Sequence, residues 1–250
     1  LKTLQRIILS PPMGYDPVLR RIRAGLFHGD PTGTRPRPEQ GLAAEKIYKP
    51  WYNGERSGVE TLKILIAYAT KYGSTRLAAT WMAEHLRSKA DVDLLPVEEV
   101  DCSLSPYTHI ILGSPLYGDD LLPEMKEFIQ ERDPEFAGKA VGVFGVALHR
   151  LGEGLYGNPD GGLAYFERFF YYLPVKPIFS RFLGGALYPE RLTKHDRQLL
   201  QEFFALHGED EIPFIQELNR RETREFADKF LQLAAVKQRL KSRIQNQKGD

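Results

Sequence analysis

The sequence predicts an α/β fold: a doubly wound, five-stranded parallel sheet with an irregular N-terminal extension. Three observations carry this expectation. Apolar runs of strand length recur from residue 62 onward and are nearly uninterrupted, as in strands covered on both faces. Segments of helical periodicity lie between them. The composition also changes near residue 60: residues 1–60 hold seven of the 17 prolines and seven of the 22 glycines.

That first segment carries ten Lys and Arg against six Asp and Glu, which leaves 24 against 27 in the other 190 residues. Its stretch Asp30-Pro31-Thr32-Gly33-Thr34-Arg35-Pro36-Arg37-Pro38 sustains neither helix nor ladder, because proline removes donors and restricts its neighbour. Two readings stand: a disordered basic leader, or an arm that wraps a partner subunit of a larger complex. Residues 61–250 form the second unit.

Within that unit Leu62–Ala69 reads as the first strand and Thr75–Lys89 as a helix with Leu77, Trp81 and Leu86 roughly on one side. Val92–Val97 and His109–Gly113 read as the next strands. Glu124–Glu131 is helical with Met125, Phe128 and Ile129 inward, and Ala140–Val146 is the fourth strand. Leu163–Tyr172 follows as a short aromatic helix and Lys176–Phe182 as the fifth strand. An insertion, Glu190–Glu217, precedes a long final helix, Asn219–Ile244, with Phe226, Phe230, Leu233 and Leu240 as its stripe.

Composition excludes several classes. A net charge of +1 does not suit a nucleic-acid polyelectrolyte. The single cysteine, Cys102, excludes an internal disulfide, a CxxC pair and a four-cysteine iron–sulfur site, and makes a reducing, cytoplasmic compartment the expectation. No apolar run approaches the ~20 residues that span a bilayer. Ile7-Ile8-Leu9 is too short for a signal-peptide core. No His or carboxylate group has metal-ligand spacing. Lys237–Lys248 reads as a solvated basic helix end, with a peripheral membrane or acidic-partner contact as the alternative.

In doubly wound sheets ligands bind outside the carboxyl ends of the strands, where the strand order reverses. The loop after the first strand reads Thr70-Lys71-Tyr72-Gly73-Ser74-Thr75 and runs directly into a helix. A helix N-terminus offers free N–H groups and partial positive charge, the glycine permits a close turn, and three hydroxyls add donors. This makes a monophosphate cradle; the plain alternative is an ordinary capped turn. The loop lacks the spacing of a nucleoside triphosphatase or a dinucleotide fold. After the third strand comes Gly113-Ser114-Pro115-Leu116-Tyr117-Gly118-Asp119-Asp120. After the fourth comes Ala147-Leu148-His149-Arg150 and a glycine-rich run containing Tyr156. Two aromatic-bearing loops beside a phosphate cradle suit a flat ring with a phosphate tail, which describes flavin mononucleotide (FMN).

The stretch from about Leu62 to Leu233 resembles the flavodoxin family: Thr-x-x-Gly-Ser-Thr looks like its phosphate loop, and Gly-Ser-Pro-Leu-Tyr-Gly like its first ring-binding loop. The phrase Phe182-Leu183-Gly184-Gly185-Ala186-Leu187-Tyr188-Pro189 and the following insertion resemble the subgroup that includes menaquinone-dependent protoporphyrinogen oxidases. The resemblance implies FMN as cofactor. It implies a redox partner protein or a quinone as the other reactant, with electrons either passed between partners or taken from a substrate. An assembly or relay role in a larger complex through residues 1–60 is the alternative.

By that resemblance Thr70, Ser74 and Thr75, with the N–H groups of Tyr72, Gly73, Ser74 and Thr75, hold the phosphate. Lys71 either pairs with the phosphate or points to water. Ser114, Pro115 and the Leu116–Gly118 backbone meet the ring. Tyr117 stacks on it or anchors the loop, and the Gly118 carbonyl meets N5–H of the reduced ring. Asp119 and Asp120 lower its potential if they lie near it. Ala147, His149 and Tyr156 bound the other side, with His149 and Arg150 near N1 or O2. Arg150, Arg168 and Lys176 are the cations available to an acidic tetrapyrrole. The insertion has a Thr193/Asp196 helix start and an apolar face of Leu199, Leu200, Phe203, Phe204 and Leu206. That face either packs on its own domain or forms a docking surface.

Overall fold

The computed structural model describes residues 62–117, 120–148, 169–206 and 208–246. The expectations placed on residues 1–60, on Gly118 and Asp119, and on the segment 149–168 with His149, Arg150, Tyr156 and Arg168 lie outside these residues. Among the described residues, five parallel strands form the sheet: β1 (Lys63–Tyr68), β2 (Asp91–Pro96), β3 (His109–Tyr117), β5 (Ala140–Ala147) and β6 (Phe179–Gly184), in the order β2-β1-β3-β5-β6. A two-residue strand, β4 (Asp120–Leu121), turns back antiparallel on the end of β3, pairing Leu116 with Leu121 and Tyr117 with Asp120. The predicted five-stranded parallel sheet is therefore present with one short antiparallel addition.

The helices are α1 (Ser74–Leu86), α2 (Pro123–Glu131), α3 (Lys194–Leu206) and α4 (Arg220–Asn246), and residues 169–172 are also helical. Alternation along β1 divides the core. Leu65 and Ala67 face the side closed by Met125 and Ile129 of α2. Ile64 and Ile66 face Ala78, Met82, Phe226 and Phe230 of α1 and α4. Both faces are apolar because both are covered. The close approach needs glycine at particular points: a Cβ on Gly113 would stand 2.1 Å from Phe144 Cζ, and one on Gly142 2.6 Å from Phe230 Cδ2.

Three expectations are corrected. The inward side of α1 is Thr75, Ala78, Ala79, Met82, Ala83 and Leu86, whereas Leu77 is exposed. Small residues let α1 lie close to the sheet and α4, so its buried stripe carries little of the large-residue signal that periodicity detects. β6 begins at Phe179 rather than Lys176, because Pro174 and Pro177 cannot donate to a ladder. In α4, Leu240 is exposed and, among the described side chains, the last buried one is Ala234.

The insertion forms a layer of its own. β7 (Ala186–Leu187) pairs antiparallel with β8 (Ile215–Gln216), and α3 lies against them. Leu187, Leu192, Leu200 and Phe204 make a small third core, with Tyr72 and Leu148 packed on it. Of the two readings of the insertion, packing on its own domain is the one observed. Gly184 and Gly185 make the junction: a Cβ on Gly184 would meet Glu217 O at 2.5 Å, and Gly185 O accepts the N–H of Glu217 at 2.8 Å.

Candidate functional site

β1 lies between β2 and β3, so connections leave it toward opposite faces and a crevice opens at the carboxyl ends of β1 and β3. β1 pairs with β3 only as far as Gly113. Beyond it, Ser114 and Pro115 pair with Gly145 and Val146 of β5 and not with β1. Pro115, lacking an N–H, is tolerated there because the β1 ladder has ended.

The loop after β1 turns through Gly73, whose φ of +92° few L side chains adopt. Gly73 caps α1 without any side-chain hydrogen bond to the helix end. The first helical bond runs from Leu77 N–H to Gly73 O at 2.9 Å. The N–H groups of Ser74, Thr75 and Arg76 therefore precede the helical ladder and point out of the helix end. The Gly73 N–H goes to Thr70 Oγ1 at 3.0 Å, so this amide, one of the expected phosphate donors, already has a partner. Ser74 Oγ donates to Ala186 O at 3.4 Å, tying α1 to β7.

Thr75 is 1% exposed, and its hydroxyl is buried with no hydrogen-bond partner. A buried polar group without a partner is costly, and such groups gather where a ligand completes them. Arg76 adds positive charge: its Nη2 lies 3.7 Å from where a Gly73 Cβ would stand. The motif reading did not single out Arg76; its place in the first turn after the glycine was the available signal. An uncapped helix end, a left-handed glycine, an orphaned hydroxyl and a guanidinium fit a phosphate monoester.

Lys71 is paired within the chain. Its Nζ pairs with Asp196 Oδ2 of α3 at 2.7 Å, and it lies 5.7 Å from the Tyr72 ring centroid and 5.8 Å from that of Tyr117. This distance is within reach of a cation–π contact, and it shows that the loops after β1 and β3 meet. Tyr72 donates its hydroxyl to the same Asp196 oxygen. Burial, then the hydrogen bond to Asp196, pushes the Tyr72 phenol up to about 12. Tyr117 is raised further by burial, with Tyr72 and Asp196 adding to it, so both phenols stay neutral at physiological pH.

Ser114 is fully buried; its Oγ donates to Pro115 O at 2.9 Å and accepts Leu122 N–H at 3.3 Å, so this hydroxyl holds the loop in shape. Leu116 packs against the α2-side core, and Ala147 ends β5 beside Gly185. Asp120 is an ion-paired structural carboxylate rather than a bare charge: Lys126 Nζ lies 2.9 Å from it, and the Tyr172 hydroxyl donates to it at 3.0 Å. That pairing removes the ground for expecting Asp120 to repel a reduced ring.

A model of the flavodoxin domain matches residues 65–212, more than half of the chain. The chain belongs to the flavodoxin domain family. FMN is the cofactor of this family. Among solved structures, a flavodoxin from the domain Archaea is 19% identical, with 68% of this chain and 99% of that one covered, at a TM-score of 0.38. Flavodoxin 2 of Bacillus cereus is 28% identical, with 58% and 97% covered, at 0.37. A Fusobacterium nucleatum flavodoxin variant bound to flavin mononucleotide is 21% identical, with 45% and 61% covered, at 0.34. No curated protein matches. Among the described residues of this flavodoxin-domain chain, no cluster of side chains could hold a metal ion, and no helix is long and apolar enough to cross a membrane.

Proposed function

We propose that this chain is an FMN-dependent redox protein that passes electrons between partners. The observation that supports it most is the uncapped start of α1 with the buried, unpartnered Thr75 hydroxyl inside it. The N–H groups of Ser74, Thr75 and Arg76, the hydroxyls of Thr70 and Thr75 and the Arg76 guanidinium hold the phosphate. Helix-end N–H groups bind it without needing a lysine, and Lys71 is already paired. Pro115, Leu116 and Tyr117, on the part of β3 beyond β1, border the ring with Gly118 and Ala147, while His149 and Tyr156 come from the loop after β5. Bound FMN supplies the electron chemistry; the chain supplies binding, orientation and exclusion of water.

A substrate-oxidising role on protoporphyrinogen is less well supported. A tetrapyrrole's carboxylates need cations near the ring, and two lysines beside β3 and β4 are paired, Lys71 with Asp196 and Lys126 with Asp120. The partner is a redox protein or a quinone, with residues 1–60 as the arm that engages a larger complex.

The test loads the protein with FMN, photoreduces it anaerobically and adds either an artificial electron acceptor or, in separate turnover, protoporphyrinogen IX with a menaquinone analogue. The reading predicts rapid reoxidation by the acceptor and no enzyme-dependent protoporphyrin fluorescence. Sustained protoporphyrin formation would replace it with the oxidase reading.

A further inference from the structure

One carboxylate joins the phosphate loop to the insertion. Thr193 caps α3, its Oγ1 accepting the Asp196 N–H at 3.1 Å. In a reciprocal capping box the acidic side chain three residues on returns to the N–H of the capping residue. Here the Thr193 N–H goes instead to the Tyr72 hydroxyl at 3.3 Å, and that hydroxyl donates to Asp196 Oδ2. Tyr72 thus stands inside the capping box of a helix more than a hundred residues away in sequence. The same Oδ2 receives Lys71, whose side chain also lies over Tyr117. Asp196 is 1% exposed, and its other oxygen has no partner.

A buried carboxylate is tolerated only when paired. Separating α3 from the loop would part the Asp196 and Lys71 charges and leave the Thr193 N–H without its Tyr72 partner. Tyr72 immediately precedes Gly73, so holding Tyr72 fixes the entry of the chain into the left-handed turn that opens α1. Tyr72 and Leu148, neighbours of the crevice, also pack on the insertion's own small core.

We propose that Asp196 is a positioning residue for the cofactor site: through Lys71 and Tyr72 it couples docking of the insertion to the shape of the phosphate loop. This rests on the FMN reading and extends it to how the site is held. FMN binding and the ordering of α3 then support each other, by linkage.

The test is a double-mutant cycle on Lys71→Met and Asp196→Asn, with Tyr72→Phe as a milder probe. FMN affinity is read from quenching of flavin fluorescence, and hydrogen exchange of the α3 amides is read with and without FMN. Each single variant is expected to weaken FMN binding about tenfold, and the double variant to be no weaker than the worse single, because both break one unit. FMN should slow α3 exchange in the wild type and do so less in Asp196→Asn. Faster α3 exchange with unchanged FMN affinity would reduce Asp196 to a local structural part and overturn the proposal. Tighter binding in Asp196→Asn would overturn it too, making the carboxylate a mere charge opposing the phosphate. Should Asp196→Asn fail to fold, Lys71→Met and Tyr72→Phe decide together, since one deletes the ion pair and the other the hydroxyl; unchanged affinity in both then refutes the coupling. A wild type that binds no FMN sinks the functional reading and this inference together. A wild type that binds beside indifferent variants sinks this inference alone.

Discussion

Thr75 is the residue at which structure and function make opposite demands. Its hydroxyl is buried without a partner, a state that costs roughly 1–3 kcal/mol. The nearly isosteric Thr75→Val removes that penalty from the cofactor-free protein while deleting a donor to a charged oxygen. The expected outcome is a urea midpoint for the cofactor-free protein that is unchanged or higher, together with FMN affinity lowered about tenfold, roughly 1.4 kcal/mol. Calorimetric titration and denaturation of the same variant check both; lower stability with unchanged affinity would make Thr75 an ordinary core residue. At this scale the phosphate loop was legible, since hydroxyls, glycine and a helix start are local signals. The partner of Lys71 was not. Thr193 and Asp196 were readable as a helix start, but nothing local shows that the carboxylate would turn away from its own cap toward a lysine 125 residues earlier. Contacts of that separation are set by the packing of the insertion.

At the scale of elements, glycines decide how closely the layers approach. Gly113→Ala would press a methyl into the Phe144 ring, and Gly184→Ala would press one into the Glu217 backbone. Overpacking of this kind typically costs about 1–3 kcal/mol. Both variants should lose urea stability, and Gly184→Ala should also loosen the β7–β8 hairpin, which hydrogen exchange at Leu187 and Gln216 would show. Gly138→Ala, with open space at its Cβ but a φ of +77°, should lose stability only through backbone strain, by about 1 kcal/mol. The strands were legible from their apolar runs because a sheet covered on both faces leaves little else to read. The faces of α1 were misjudged because alanines do the packing there. The start of β6 shifted because two prolines interrupt an apolar stretch. The insertion's destination followed from tertiary contacts alone: Leu200 and Phe204 are buried against β7 and β8, neighbours that no periodicity names.

For the molecule as a whole, the pH dependence of stability has an identifiable contributor. His109 is buried at the foot of β3, edge-on to Phe230 with ring centroids 5.9 Å apart. Burial, then the nearby Lys237 charge, lowers its pKa below the usual 6.5. The unfolded chain therefore binds a proton more readily than the folded one. The contribution of neutral His109 is full above about pH 6.5 and is lost as pH falls toward the lower, folded value. Urea midpoints should drop as pH falls below about 6.5, and His109→Gln should flatten that slope; an unchanged slope would assign it to carboxylates. The doubly wound order and its crevice were legible from the alternation of elements. The loop after β5 was legible only as composition, and its His149 and Tyr156 remain roles proposed from sequence.

The account's central claim is that the start of α1 holds a phosphate monoester, and the most direct measurement compares binding of FMN and riboflavin to the cofactor-free protein. The two ligands share the ring and differ by the phosphate alone. Several N–H groups, hydroxyls and a guanidinium on one phosphate predict FMN binding at least about a hundredfold tighter than riboflavin, with the difference shrinking in Thr75→Val. Equal affinity for the two, or no binding of either, would contradict the claim.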